Sequence, residues 1–258
     1  MPLIRYILAA AVVMIALSWW MKDRLPPVSA ILPALTQEPA QTAISRPALH
    51  LAAKDFTYTV QPLYSYEIVG LIVSVHRSDE LFDLYHGRSN DFANIKDLCV
   101  VWGENATGGV YRDMNFSSGD FTCYCQTNSS EVWSRFRMNQ MSNNHLLPAT
   151  GAIAKSILSA RIGDQVSIRG ALCTYDLDGT SYHRGTSITR EDDGNGACET
   201  IYVEDFQILR RANRIWPAIF AAGWTLAAGA IAAAIFLFVR NFMSGEAHPS
   251  PDEEFATR

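Results

Sequence analysis

The chain has 258 residues, 48% of them hydrophobic and 18% charged, with a formal net charge of −5. That balance excludes a disordered chain, which would bury too little apolar surface to fold. Between Leu51 and Ala212 the sequence carries 14 Lys and Arg against 20 Asp and Glu, a local net of −6, so nucleic acid, which calls for a basic footprint, is not an expected partner.

Residues 1–24 begin with a short basic start and a charge-free run from Tyr6 to Met21 that ends on Trp19 and Trp20. The run predicts a transmembrane helix held as a signal anchor, because indole rings sit well at the membrane interface. The alternative is a cleaved signal peptide with Ala16-Leu17-Ser18 as its small-x-small site. Residues 25–54 are rich in Pro, Ala, Gln and Ser and read as an extended linker. Alternating patterns then predict strands at Phe56 to Val60, Tyr64 to Val75, Leu98 to Trp102, Phe121 to Cys125 and Val132 to Met138. Asn143 to Pro148 reads as a polar loop. Ile153, Ile157 and Leu158 fall on one side of a short helix within Ala149 to Ile162. Gln165 to Tyr175 and Thr200 to Leu209 read as strands again. Glycines inside strands mark sharp bends, so Gly70 and Gly170 are expected where curved strands approach one another.

Ile215 to Val239, between Arg214 and Arg240, is long enough to cross a bilayer and predicts a second transmembrane helix within 213–240, followed by an acidic tail over 241–258. Gly229 and Ala233 stand four apart, as do Ala230 and Ala234, and Ala228 and Ala232, a spacing that lets helices pack closely in lipid. The expected partner of that stripe is Ala9 to Ala11 of the first helix or a second copy of the chain, giving a homo-oligomer through the C-terminal helix.

The element order is strand, strand, strand, helix, strand, strand. With the strings EIVGLIVSV, GDQVSIRGALCTY and YVEDFQIL, residues 55–212 resemble the OB-fold. The expected fold class is therefore mainly β, a small five-stranded OB-like barrel with one short helix, flanked by two transmembrane helices. The strings NIKDLCVVWG, SNNHLLPA and DDGNGACETIYVEDF resemble an uncharacterised bacterial family of membrane-anchored proteins. That resemblance implies a bacterial inner-membrane protein and carries no activity with it. Lys22, Arg24, Arg210, Arg211 and Arg214 flank the domain side of the two helices and by the positive-inside rule point to the cytoplasm. Long loops translocate largely regardless of charge, however, and the signal-like start points to export. An extracytoplasmic domain is the expectation.

Five cysteines, Cys99, Cys123, Cys125, Cys173 and Cys198, all fall in the middle domain. An oxidising compartment suits two disulfides and a spare thiol, a reducing one five small buried hydrophobes. Cys123 and Cys125, one residue apart on a strand, share a face but lack the spacing of a zinc or redox pair. Asn143, Asn144 and His145 form the one candidate catalytic group, able to place an imidazole and amides at a pocket for acyl transfer. Glu191, Asp192, Asp193 and Asn195 offer oxygens to a hard cation, without the EF-hand order. No cofactor motif and no metal site is complete. Two functional readings result. The first is a membrane-anchored, non-enzymatic binding or assembly module taking a protein or glycan. The second is a membrane-anchored hydrolase using the Asn143-Asn144-His145 loop.

Overall fold

A computed structural model describes residues 2–77, 90–119, 121–189 and 198–244. The chain divides into two compact units, one holding two long helices and the other spanning Asp23–Ala212.

The helical unit pairs α1 (Pro2–Met21) with α5 (Trp216–Ser244). Both are long and apolar enough to cross a membrane. The contact runs along Gly223, Ala227 and Ala230, which are buried on α5, with Ala11 and Ser18 buried on α1. A Cβ at Gly223 would come within 2.8 Å of Ile15 Cγ1 and 3.3 Å of Met14 Cβ. Ala11 and, of the small-residue stripe, Ala230 lie in the contact as expected, but Gly229 does not: a Cβ there would meet nothing within 4 Å. Gly223 fits because it lets the two helix backbones approach, the role small residues play in lipid.

The second unit is rich in strand. Its main sheet contains β1 (Ala40–Ala43), β2 (Leu49–Ala53), β3 (Phe56–Arg77), β4 (Lys96–Val101), β7 (Met141–Pro148), β8 (Gln165–Leu177), β9 (His183–Arg184) and β10 (Glu199–Arg210). A hairpin, β5 (Asn115–Gly119) with β6 (Thr122–Gln126), forms a second, two-stranded sheet. The helices are short: α2 (Gly103–Thr107), α3 (Ser130–Arg135) and α4 (Gly151–Ser159). Within the main sheet β3 pairs with β4, β4 with β7, β7 with β10, β10 with β8, and β8 again with β3. All these pairs are antiparallel except β7–β10. The apolar residues enclosed by these five strands include Ile68, Ile72, Leu98, Val100, Leu146, Val166, Ile168 and Ile201, closed at one side by Ile157 of α4.

The sheet has eight strands where five were expected. The additions come from β1, β2 and β9, and the first two lie in the stretch read as a linker. That stretch is tied down along its length. Leu35 is fully buried with Leu71, Val101 and Tyr111, the Tyr111 hydroxyl donates to the Pro26 carbonyl at 2.6 Å, and Trp102 Nε1 donates to Glu38 at 2.8 Å. Its prolines suit open coil locally, but the long edge of β3 offers unpaired backbone groups that β1 and β2 satisfy.

Two further readings are corrected. Val132 to Met138 is not a strand. Ser129 caps a helix there, accepting from the Val132 amide at 3.2 Å, and α3 follows. Asn143 to Pro148 is not a loop but most of β7, central between β4 and β10. Gly70 and Gly170 do sit where backbones crowd. A Cβ at Gly170 would overlap the Tyr202 carbonyl of β10, beside a register shift between Val203 and Asp205. One at Gly70 would meet Val100 Cβ at 3.1 Å and the Val101 carbonyl at 3.3 Å.

Candidate functional site

Because β4 and β7 are antiparallel neighbours in register, Asp97 stands opposite His145, and Cys99 opposite Asn143. Residues alternate sides along a strand. Leu98, Val100 and Leu146 therefore turn inward, while Asp97, Cys99, Asn143 and His145 share the outer face. The β5–β6 hairpin is fastened over that face. A disulfide joins Cys123 of β6 to Cys99, with 5.9 Å between Cα atoms, and Ser118 Oγ lies 2.7 Å from Ser74 Oγ.

Under this cover His145 is fully buried and 2.7 Å from Asp97, Nδ1 to Oδ1. Asn94 Nδ2 donates to the same Asp97 oxygen at 2.6 Å, and Asn94 Oδ1 accepts from the Leu146 amide at 3.0 Å. Nη2 of Arg184 approaches His145 Nε2 to 2.8 Å. The Phe121 ring lies edge-on to His145 at 5.8 Å, and the Arg184 guanidinium sits over the same ring at 3.9 Å. Burial by itself would lower the imidazole pKa. The Asp97 carboxylate, by charge and by hydrogen bond, outweighs burial, and a hydrogen bond with Cys198 acts the same way, while Arg184 opposes; the ring is held up to about 9. Its contact with Arg184 favours the neutral ring, so Asp97 and Arg184 pull in opposite directions, and the directly bonded carboxylate prevails.

The structure thus keeps Asn143 and His145 on one face and sends Asn144 to the other, where its amide donates to the Leu98 carbonyl at 3.0 Å. The three do not converge on a pocket. Chain-distant Asp97, Asn94, Arg184 and Phe121 surround His145 instead. A lone carboxylate in the apolar string IKDLCVV was the available sign of Asp97; nothing in the sequence marks the other three. Of the five cysteines, Cys99 and Cys123 are bridged, and Cys125, Cys173 and Cys198 carry free thiols. Cys198 lies just before β10 at the rim of the same face, its sulfur 3.7 Å from Asn143 Nδ2 and 3.5 Å from the Phe121 carbonyl.

A second buried polar group lies nearby. Asp91 accepts the hydroxyls of Tyr175 and Tyr182 at 2.7 and 2.8 Å, and burial, then the Asp91 charge, pushes both phenols upward. Among the described residues no three His, Cys, Asp or Glu side chains are grouped to hold a metal. The candidate oxygens of Glu191, Asp192, Asp193 and Asn195 lie outside the described residues.

On the surface, a groove of about 410 Å³ is lined by Thr42, Arg46, Glu67, Arg169, Glu204 and Asp205 among others. Its walls carry ion pairs, Arg46–Glu204 at 2.7 Å and Arg169–Asp205 at 2.8 Å. No family model matches the chain, and no curated protein or solved structure matches it.

Proposed function

We propose that the chain is a bacterial inner-membrane protein whose strand-rich unit is an OB-like barrel serving as a non-enzymatic binding or assembly module. The observation that carries this reading is the state of His145. A general base must meet substrate. His145 is fully buried, with Nδ1 bonded to Asp97 and Nε2 closed off by Arg184. It fits a structural ion pair better than a hydrolytic base, which leaves the hydrolase reading without its central residue.

Other observations support the remaining parts. The circuit β3–β4–β7–β10–β8–β3, with one parallel pair and α4 after its third strand, supports the OB-like reading. In such barrels the second and third strands commonly present the ligand face. Here the hairpin covers that face, so the open charged groove beside Arg46 and Arg169 is the better place for a protein or peptide. The Cys99–Cys123 bridge suits an oxidising compartment and hence an extracytoplasmic position. Two apolar helices supply the anchor.

The test is chemical cross-linking in native membranes, with partners identified by mass spectrometry. A partner captured by the wild type and lost from an Arg46→Glu, Arg169→Glu variant of unchanged abundance supports the module. Capture that the groove variant leaves intact sinks the groove, and turnover of an ester or amide lost in His145→Gln would restore the hydrolase.

A further inference from the structure

The chain enters and leaves the strand-rich unit at one place. Its first and last residues adjoin Gly163, in the turn after α4: a Cβ there would come within 2.8 Å of Ala212 Cβ, 3.2 Å of the Arg24 carbonyl and 3.5 Å of Pro26 Cδ. Asp164 ties this turn to the chain exit. It is fully buried and accepts from the Arg161 amide at 3.0 Å and from the Ala212 amide at 2.9 Å. Arg211 completes the tie, with Nη1 donating to the Ser159 carbonyl at 2.6 Å and lying 3.3 Å from Asp164.

This end is basic although the span from Leu51 to Ala212 carries a net of −6. Arg24, Arg161, Arg210 and Arg211 are all exposed there, with Asp23 as an exposed carboxylate beside Arg24. The Arg161 and Arg211 charges both act on Asp164, but that carboxylate is turned inward onto backbone amides, so the surface presents guanidinium. Two of the heads are aimed by the fold: Arg210 Nη1 donates to the Ala30 carbonyl at 2.5 Å, and Arg211 Nη2 to Ser159 Oγ at 2.8 Å. A guanidinium carries five N–H donors in a planar fork that matches phosphate oxygens, and a head fixed through some of them still offers the others. Connectivity places this end near lipid. Arg24 follows the last residue of α1 by three positions, and Arg211 precedes the first of α5 by five. A chain spans at most about 3.6 Å per residue, so this end stays within about 20 Å of where the two apolar helices would leave a bilayer.

We propose that this end of the strand-rich unit binds the phosphate headgroups of anionic phospholipid through Arg24, Arg161, Arg210 and Arg211. The proposal rests on the two apolar helices being the membrane anchor and is independent of the groove beside Arg46 and Arg169. Basic residues next to a bilayer are drawn to anionic lipid, and the attraction fades within a Debye length of the surface, so the arginines nearest the anchors are the ones that feel it. The groove arginines differ in kind, since each is already paired with a surface carboxylate.

The experiment titrates the full chain, in a non-ionic detergent, with phosphatidylglycerol or phosphatidylcholine of the same acyl chains and counts retained lipids by native mass spectrometry. Phosphatidylglycerol should be held on the order of tenfold more tightly, and less so as salt is raised. Arg161→Gln with Arg210→Gln leaves the Asp164–Arg211 contact in place and should remove most of that preference, with the circular dichroism spectrum unchanged. Arg46→Gln with Arg169→Gln, which takes the same charge from the groove, should leave the preference as it is. Equal retention of the two lipids overturns the proposal. So does a preference that survives in the Arg161 and Arg210 pair, which would make these arginines topology signals only, or one lost equally in both pairs, which would make it an effect of net charge. A chain that stays in solution without detergent overturns the anchor itself, and this proposal with it.

Discussion

Strands β4 and β7 bury both of their faces, and the side chains on them are held in two different ways. Inward, Leu98, Val100 and Leu146 meet other aliphatic side chains, and any residue of similar shape and volume would serve. Outward, Asp97, His145, Asn143 and Cys99 are as deeply buried, but each depends on a named partner: Asp97 on His145 and Asn94, Cys99 on Cys123. The aliphatic side chains are held by a property summed over many contacts and lose stability in proportion to what is removed. The polar face is held by pairs, and removing one member strands the other away from water.

The largest break is expected where neither face can adjust. Gly170→Val drives a side chain into the Tyr202 carbonyl, and since backbone cannot move aside as a side chain does, the loss should be about 4 kcal/mol or more, or no folded protein at all. Far-UV circular dichroism and denaturant unfolding read this directly. Asp97→Ala follows, leaving the buried His145 Nδ1 and the Asn94 amide without their shared acceptor at a cost of about 3–5 kcal/mol. Leu98→Ala on the opposite face should cost about 2–5 kcal/mol. The contrast sharpens with a second exchange, because Leu98→Met should be tolerated within about 1.5 kcal/mol, whereas Asp97→Asn, equally conservative in shape, should not be. If Asp97→Asn proves as harmless as Leu98→Met, the outer face is ordinary core.

The same Asp97–His145 pair predicts a pH dependence. The folded-state pKa of His145, about 9, lies above the ordinary value of 6.5, so the folded protein binds the extra proton. The stability this contributes is complete below about pH 6.5 and is lost as the pH rises through about 9. Unfolding free energies measured across that window should decline for the wild type, and the decline should be shallower in Asp97→Asn, where the carboxylate that raises the pKa is gone. An equal slope in both would show that His145 is not charged in the folded protein.

Much of the fold was legible because it is written locally. The two long helices follow from uninterrupted apolar length, α4 from one apolar side, and β3, β8 and β10 from runs of β-branched and aromatic residues. Gly70 and Gly170 stood out because a glycine within such a run needs a reason. The site was far less legible. Asn143-Asn144-His145 has the composition of a loop, and it becomes a strand only because β4 and β10 lie on either side to take its backbone hydrogen bonds.

The sequence by itself determined which stretches are long and apolar, where the long strands β3, β8 and β10 run and where Gly70 and Gly170 meet a crowded neighbour, since these depend on residues close by in the chain. Only the tertiary structure decided the rest. His145 meets an aspartate 48 residues earlier in the chain and an arginine 39 residues later. Cys99 bridges across a hairpin, and the helix pair closes on Gly223 rather than Gly229. Each of these choices is made by a surface that exists only once distant segments have come together, and polar residues such as Asp97 can be buried there because the partners that satisfy them are already in place.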